Sequence, residues 1–205
     1  MPSSLQNPAD VVNAALVRIG WKQQIGNLRD GSAAADAALS LYGQTRDELL
    51  RTSNWDFAQR NIALTLLKSA PPGGYIPPTT WDPTINPPIP WTFSYVYPGD
   101  CIKLRAVKPT PIFIPEFDPS ANRFSIDNDY SYTPAQRVIL CNVPAALAVY
   151  TGRVTDPATW APDFAEALIE LLGERLAPGL VAAQAAQFEA AEATVQTQLA
   201  KMEQG

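Results

Sequence analysis

Apolar residues recur at the three- and four-residue spacing of an amphipathic helix near both ends of the chain. The first such stretch begins at Asn7-Pro8-Ala9-Asp10, where a capping residue, a proline and an acid stand in the order that starts helices, and it ends at Gly20. The second begins after Ser32, and a third begins at Pro162. We expect the first two helices to form an antiparallel pair.

Pro178-Gly179 is predicted to interrupt the third helix, because proline lacks an amide hydrogen and clashes with the carbonyl group four residues earlier. A last helix is then predicted from Leu180 to Met202. Its apolar stripe is narrow, which is typical of a helix that makes one seam of contacts. The residues predicted to dock on a partner near its end are Val195, Leu199 and Met202.

The middle third of the chain changes to the alternating pattern of β-strands. Strands are predicted at 62–66, 93–97, 101–106, 113–117, 123–126 and 137–141, while residues 145–153 allow either a helix or an extended segment. The sequence therefore predicts an α+β fold in a single domain, residues 1–205. Its helical core combines the N-terminal antiparallel pair with C-terminal helices, and a small antiparallel β lobe is inserted at 69–142.

A proline-rich loop, residues 70–90, contains eight prolines and a single charged residue, Asp82. Proline excludes a helix and a central strand here. Apolar residues are nevertheless spread through the loop without a helical or strand period: Tyr75, Ile76, Trp81, Ile85 and Ile89. We expect the loop to become ordered on a neighbouring subunit or another partner rather than on its own core.

The second helix is predicted to end at Ser53-Asn54 and to deliver two aromatic side chains to the centre of the core. Large aromatic side chains need about 150–250 Å² of cover each. The predicted core residues are Leu41, Tyr42, Leu49, Trp55, Phe57, Trp160, Phe164 and Leu168.

Candidate chemistry is sparse. The chain has no histidine, two cysteines and a net charge of −5, and it lacks a glycine-rich phosphate-binding motif. These features argue against Ser-His or Cys-His catalysis, against a zinc site and against a basic nucleic-acid surface, so no cofactor or metal is predicted. Glu116 and Asp118 are the carboxylate pair that a glycan hydrolase would need. The aromatic residues between Trp81 and Tyr97 fit a core or subunit interface better than a base-stacking platform, because basic residues do not accompany them.

Four sequence blocks carry a resemblance to a known family. They are RDELL followed by NWDFAQR within residues 39–60, WTFSYVYPGD at 91–100, YTGRVTD at 150–156 and WAPDF at 160–164. Together with ALVRIG near the N-terminus, they resemble the head-to-tail adaptors of short-tailed bacteriophages, the tail tubular protein A family. The chain departs from that family at Pro178-Gly179, where the family has one continuous C-terminal helix.

The resemblance implies a structural virion protein made in the host cytoplasm. In this family a ring of about twelve subunits joins the portal protein to the tail nozzle protein, and genomic DNA passes through its lumen without sequence-specific contact. The C-terminal helix, with Val195, Leu199 and Met202, would reach the portal, and the β lobe would reach the tail. The alternative is a virion-associated peptidoglycan hydrolase, because some adaptors of the wider family have been proposed to degrade cell-wall glycan.

Overall fold

The structure, a computed structural model, describes residues 5–75, 80–110, 123–180 and 182. The chain has an α+β fold, in which three helices pack together and two small antiparallel sheets have three and four strands. It divides into two compact units. The helical unit combines Met1–Thr52 with Val154–Gly205, and the β unit is Ser53–Arg153.

The helices begin and end where local side chains satisfy the free backbone groups. Helix α1 is Pro8–Arg18, helix α2 is Ala33–Thr52, and helix α3 covers 162–180. The side chain of Asn7 accepts a hydrogen bond from the Asp10 backbone N–H at 3.1 Å, and the Asp10 carboxylate accepts one from the Asn7 N–H at 3.0 Å. Gly20 follows α1 with a φ of +77°. The predicted start and end of α1 are confirmed.

The buried face of α2 includes one row of residues spaced four apart, together with Ala35 and Thr45 beside it. The buried members of this row are Ala34, Ala38, Tyr42, Arg46 and Leu50. The predicted core residues Leu41 and Leu49 are only half-buried, whereas Tyr42 is buried.

Helix α3 contributes the largest apolar side chains of the helical unit. Phe164 and Leu168 are fully buried, and Trp160 packs edge-on against Phe164 with ring centroids 5.2 Å apart. The predicted interruption at Pro178-Gly179 is wrong, because the helix continues through both residues to 180. Leu176 and Leu180 are buried on either side of the proline, and their burial offsets the cost of the lost backbone hydrogen bond.

Polar contacts join α3 to both other helices. Arg18 of α1 pairs with Glu166 and Glu170, and Arg175 pairs with Glu48 of α2 at 2.7 Å. A Cβ atom at Gly173 would lie 3.4 Å from the carbonyl oxygen of Ala15, so glycine lets α3 and α1 approach closely. Among the described residues, no helix is long and apolar enough to cross a membrane.

The β unit contains seven strands in the residues that the structure describes. They are β1 (Gln59–Ala63), β2 (Leu66–Ser69), β3 (Phe93–Val96), β4 (Cys101–Pro109), β5 (Phe124–Asp129), β6 (Gln136–Cys141) and β7 (Ala146–Gly152). One sheet has the order β1-β7-β4 and the other the order β2-β3-β6-β5, with every neighbouring pair antiparallel. The ambiguous segment 145–153 is thus a strand, and the strand predicted at 62–66 is divided between the two sheets.

Residues of both sheets form one buried cluster. Its members are Tyr95, Leu104, Val107, Ile139, Cys141, Val143, Ala146, Ala148 and Tyr150. Trp55 and Phe57 were predicted at the centre of a core, but both are half-buried beside a short 3-10 helix, and their rings lie 6.2 Å apart. The chain leaves α2 before these aromatics, so the helix does not carry them into its own packed face. The β unit extends beyond the predicted lobe of 69–142 because β1 and β7 complete the three-stranded sheet.

Candidate functional site

Three of the sequence blocks that carry the family resemblance meet at one corner of the β unit. Arg60 ends the NWDFAQR block, and its guanidinium lies 2.7 Å from Oδ2 of Asp100, which ends the WTFSYVYPGD block. Tyr150, which begins the YTGRVTD block, donates its hydroxyl hydrogen to Oδ1 of Asp100 at 2.9 Å. One carboxylate therefore joins residues that are far apart in the sequence.

Two further features fix this corner. A Cβ atom at Gly152 would collide with Nε and Cδ of Arg60, so any other residue there would displace that side chain. Arg105 donates hydrogen bonds to the Thr151 hydroxyl at 2.9 Å and to the Trp55 carbonyl oxygen at 2.8 Å. It therefore connects β4 and β7 to the segment before β1.

The ionisation of Tyr150 shows what this corner can do chemically. Burial, together with the neighbouring Asp100 carboxylate, raises the pKa of Tyr150 to about 12. The phenol therefore keeps its proton at neutral pH and acts as a hydrogen-bond donor. A tyrosine in that state is a poor general base, and the cluster has the properties of a structural support.

The proline-rich loop is held to its own sheet by Lys68 of β2. The Lys68 side chain is 3% exposed, and its ammonium group donates to the Pro83 carbonyl oxygen and to the Ser131 hydroxyl, each at 2.7 Å. It also forms an ion pair with Asp129 at the end of β5. These three partners use all three N–H donors of the lysine.

Asp129 is ionised under most conditions. Burial opposes its charge, but the hydrogen bonds from Lys68 and Ser131 prevail and hold the pKa of Asp129 below its ordinary value. The ion pair therefore persists through the neutral range and links the loop to the β5–β6 turn.

Hydrogen bonds also join residues within the loop. The backbone N–H groups of Ile85 and Asn86 donate to the Asp82 carbonyl oxygen, and Tyr75 and Trp81 both donate to the Pro87 carbonyl oxygen, at 3.2 and 2.8 Å. Asn86 is 7% exposed and bonds to the Ser69 carbonyl oxygen. The expectation that the loop would not order on its own domain is therefore wrong for its described part, because polar contacts and the burial of Asn86 and Pro87 anchor it.

Several apolar side chains of the loop remain exposed. Ile85 and Ile89 are each 63% exposed, and Trp81 is 41% exposed. Tyr75 is half-buried, and its hydroxyl group donates a hydrogen bond to the Pro87 carbonyl oxygen. Ile76 lies outside the described residues. The loop thus has an anchored inner side and an apolar outer side. We call Trp81, Ile85 and Ile89 the loop surface.

Two hollows adjoin the loop. One, of about 570 Å³, is lined by residues 69–75 and 89–93 and has no charged side chain. The other, of about 440 Å³, lies between the loop and the β5–β6 hairpin, and we call it the hairpin cleft. It is lined by the loop residues Trp81, Pro83, Thr84, Asn86 and Pro88, by the hairpin residues 127–131, and by Lys68, Ser94, Val138 and Leu140.

Other predicted site residues lie outside the described part of the chain. These are the candidate portal residues Val195, Leu199 and Met202 and the candidate catalytic acids Glu116 and Asp118. Within the described residues, no group of three or more His, Cys, Asp or Glu side chains is placed to hold a metal ion. Cys141 is a buried thiol, and burial raises its pKa.

Lys68 is the site residue that the sequence interpretation missed. It lies in a segment with alternating apolar residues, where a lysine normally indicates the solvent-facing side. The Asp-x-Ser pattern of residues 129–131, which supplies both of its side-chain partners, signals a turn but not the lysine that it binds.

In comparisons with known proteins, the chain matches no protein-family model and no curated protein sequence. The adaptor resemblance therefore rests on the four sequence blocks and on ALVRIG.

Proposed function

We propose that this protein is a structural component of a phage tail, a ring-forming head-to-tail adaptor that joins the portal vertex to the tail nozzle of a short-tailed phage. Its partners are further copies of itself, about twelve in a ring, together with the portal protein and the nozzle protein. DNA passes through the ring during ejection. The sequence blocks suggest the family, and the loop surface is the structural observation that supports an assembly role.

The loop surface supports this proposal because exposed apolar side chains on an anchored backbone are typical of protein interfaces. Ile85 and Ile89 are more exposed than most large apolar residues of a folded chain, and the loop that bears them is already fixed by Lys68 and Asn86. Such preorganisation lowers the entropy that binding must overcome. Burial of both isoleucines would contribute about 1.5–3 kcal/mol for each side chain.

The proposal assigns a role to each part of the fold. The helical unit, with α1 and α2 antiparallel, forms the wall of the ring, and the inserted β lobe with its proline-rich loop faces a neighbour or the nozzle. Val195, Leu199 and Met202 are the proposed portal contacts. The assembled protein resides in the neck of the virion.

The test is an assembly assay with the double variant Ile85→Ser/Ile89→Ser. The wild-type protein should form rings, alone or on purified portal rings, that negative-stain microscopy and mass photometry detect. The double variant should remain monomeric at the same concentration while its melting temperature stays unchanged. Val17→Ser is the matched control, because Val17 of α1 is 62% exposed and lies in the helical unit. Failure of the wild-type protein to form rings under either condition would contradict the proposal.

The adaptor proposal includes the absence of glycan cleavage. Purified protein should leave a peptidoglycan zymogram uncleared. A clearing band that is lost in Glu116→Gln would favour the hydrolase instead.

A further inference from the structure

The hairpin cleft carries more negative than positive charge. Asp127 and Asp129 line it, and Asp82 follows its wall residue Trp81, whereas Lys68 is the one cation among the lining residues. The Lys68 ammonium is fully engaged with Pro83, Ser131 and Asp129. It therefore neutralises Asp129 and leaves the charge of Asp127 uncompensated.

Asp127 is placed to accept a hydrogen bond from a ligand. It is exposed on β5, and Oδ1 of its carboxylate accepts one hydrogen bond, from the Asn128 backbone N–H at 2.8 Å. Among the described residues no cation pairs with it. Its register partner on β6 is Val138, which is 2% exposed and also lines the cleft.

The cleft also contains a buried hydroxyl group without a partner. Ser94 of β3 is 1% exposed, and its Oγ makes no hydrogen bond within the described residues. A buried hydroxyl group in this state is unfavourable, so a donor that reaches it is stabilised there. Ser94 lies opposite Lys68 in the sheet, on the face covered by the loop.

The remaining walls are aromatic and apolar. Trp81 stands on the loop side and Tyr130, which is 80% exposed, stands on the hairpin side. Pro83, Val138 and Leu140 add apolar surface. A cation is attracted to aromatic faces, and a long charged side chain buries its methylene stem along apolar surface while its head meets a carboxylate.

We propose that the hairpin cleft binds an arginine side chain of a partner protein. Arginine fits better than lysine, because its planar guanidinium stacks on aromatic rings and offers five donors, enough for both Asp127 and the Ser94 hydroxyl. A volume of about 440 Å³ is sufficient for one side chain and its flanking backbone. This site rests on the cleft alone and does not depend on the adaptor assignment.

The experiment titrates the full chain with N-acetyl-arginine-N-methylamide and compares its citrulline analogue, which has nearly the same shape without the charge. Amide and indole chemical shifts of the ¹⁵N-labelled protein report the binding position. The arginine probe should shift Trp81, Asn128 and Tyr130 along saturable curves, with at least tenfold weaker binding of the citrulline probe. The preference for arginine should decline as salt is added.

Two variants test the assigned groups. Asp127→Asn should remove most of the preference for arginine over citrulline, whereas Asp36→Asn, the same change at an exposed position in α2, should leave it intact. Ser94→Ala should weaken binding of the arginine probe several-fold without lowering the melting temperature of the protein. The proposal is overturned if both probes bind equally, if the shifted residues lie away from the cleft, or if Asp127→Asn behaves like its control.

Discussion

Replacing Lys68 by methionine tests whether the proline-rich loop is anchored as described. Methionine keeps an apolar stem but leaves Asp129, whose side chain is 14% exposed, without its cation, and leaves the Pro83 carbonyl group without its donor. Removing one partner of a buried ion pair costs about 3–5 kcal/mol. Asp129 retains two hydrogen bonds from Ser131, so we expect the lower end of that range, about 3 kcal/mol.

The pH dependence of this effect has a definite sign. The pKa of Asp129 is lower in the folded protein than in the unfolded chain, where an aspartate titrates near about 4. Its contribution to stability is therefore fully present above that value and is lost as pH falls through the folded pKa. The difference between wild type and Lys68→Met should be largest at neutral pH and should shrink below about pH 4.

Urea unfolding followed by tryptophan fluorescence measures both quantities, at pH 7 and near pH 3. Lys108→Met, at an exposed position of β4, is the control. The double variant Lys68→Met/Asp129→Asn should recover part of the loss, because it also removes the buried charge. A loss below about 0.5 kcal/mol at pH 7, the usual range for an exposed substitution, or an equal loss at both pH values, would refute the anchoring role of Lys68.

Further substitutions test packing. Phe164→Ala should lower the free energy of unfolding by about 3–5 kcal/mol because the ring is fully buried, and Trp55→Ala should cost roughly half as much because that ring is half-exposed. Gly152→Ala should cost about 1–3 kcal/mol through its collision with Arg60, and a second substitution, Arg60→Ala, should relieve most of that loss. Thermal melts compare Phe164→Ala with Trp55→Ala, and equal losses of stability would contradict the difference in burial between the two rings. A loss in Gly152→Ala that persists in Gly152→Ala/Arg60→Ala would exclude the collision.

Local signals in the sequence predicted much of the secondary structure. Asn7, Pro8 and Asp10 lie close together in the chain, so their capping contacts can be predicted without knowledge of the fold. The alternation in 93–97 and 137–141 likewise predicted β3 and β6, which became neighbours in one sheet. These features depend on backbone propensity and on the next few residues.

Features set by tertiary packing were not predicted. The sequence suggested Leu41 and Leu49 as core residues of α2, but both are half-buried, whereas Arg46 and Leu50 are buried. Pro178 is a helix breaker by propensity, and α3 passes through it because Leu176 and Leu180 are both buried. The buried position of Lys68 depends on Asp129 and Ser131, which are about sixty residues away.

The position of the family-like blocks affects how far the resemblance can be used. Arg60, Asp100, Tyr150 and Gly152 come from three blocks and meet at one carboxylate, where each supports the joining of strands. Residues of this kind define a scaffold, so similarity in them predicts the fold of the β unit more directly than it predicts a partner. Partner choice would depend instead on the loop surface, which lies outside those blocks, and on the hairpin cleft, in which Ser94 is the one lining residue that belongs to a block. Under the proposed adaptor function, exchange of residues 81–89 between two proteins that share this scaffold should therefore transfer tail specificity without loss of stability.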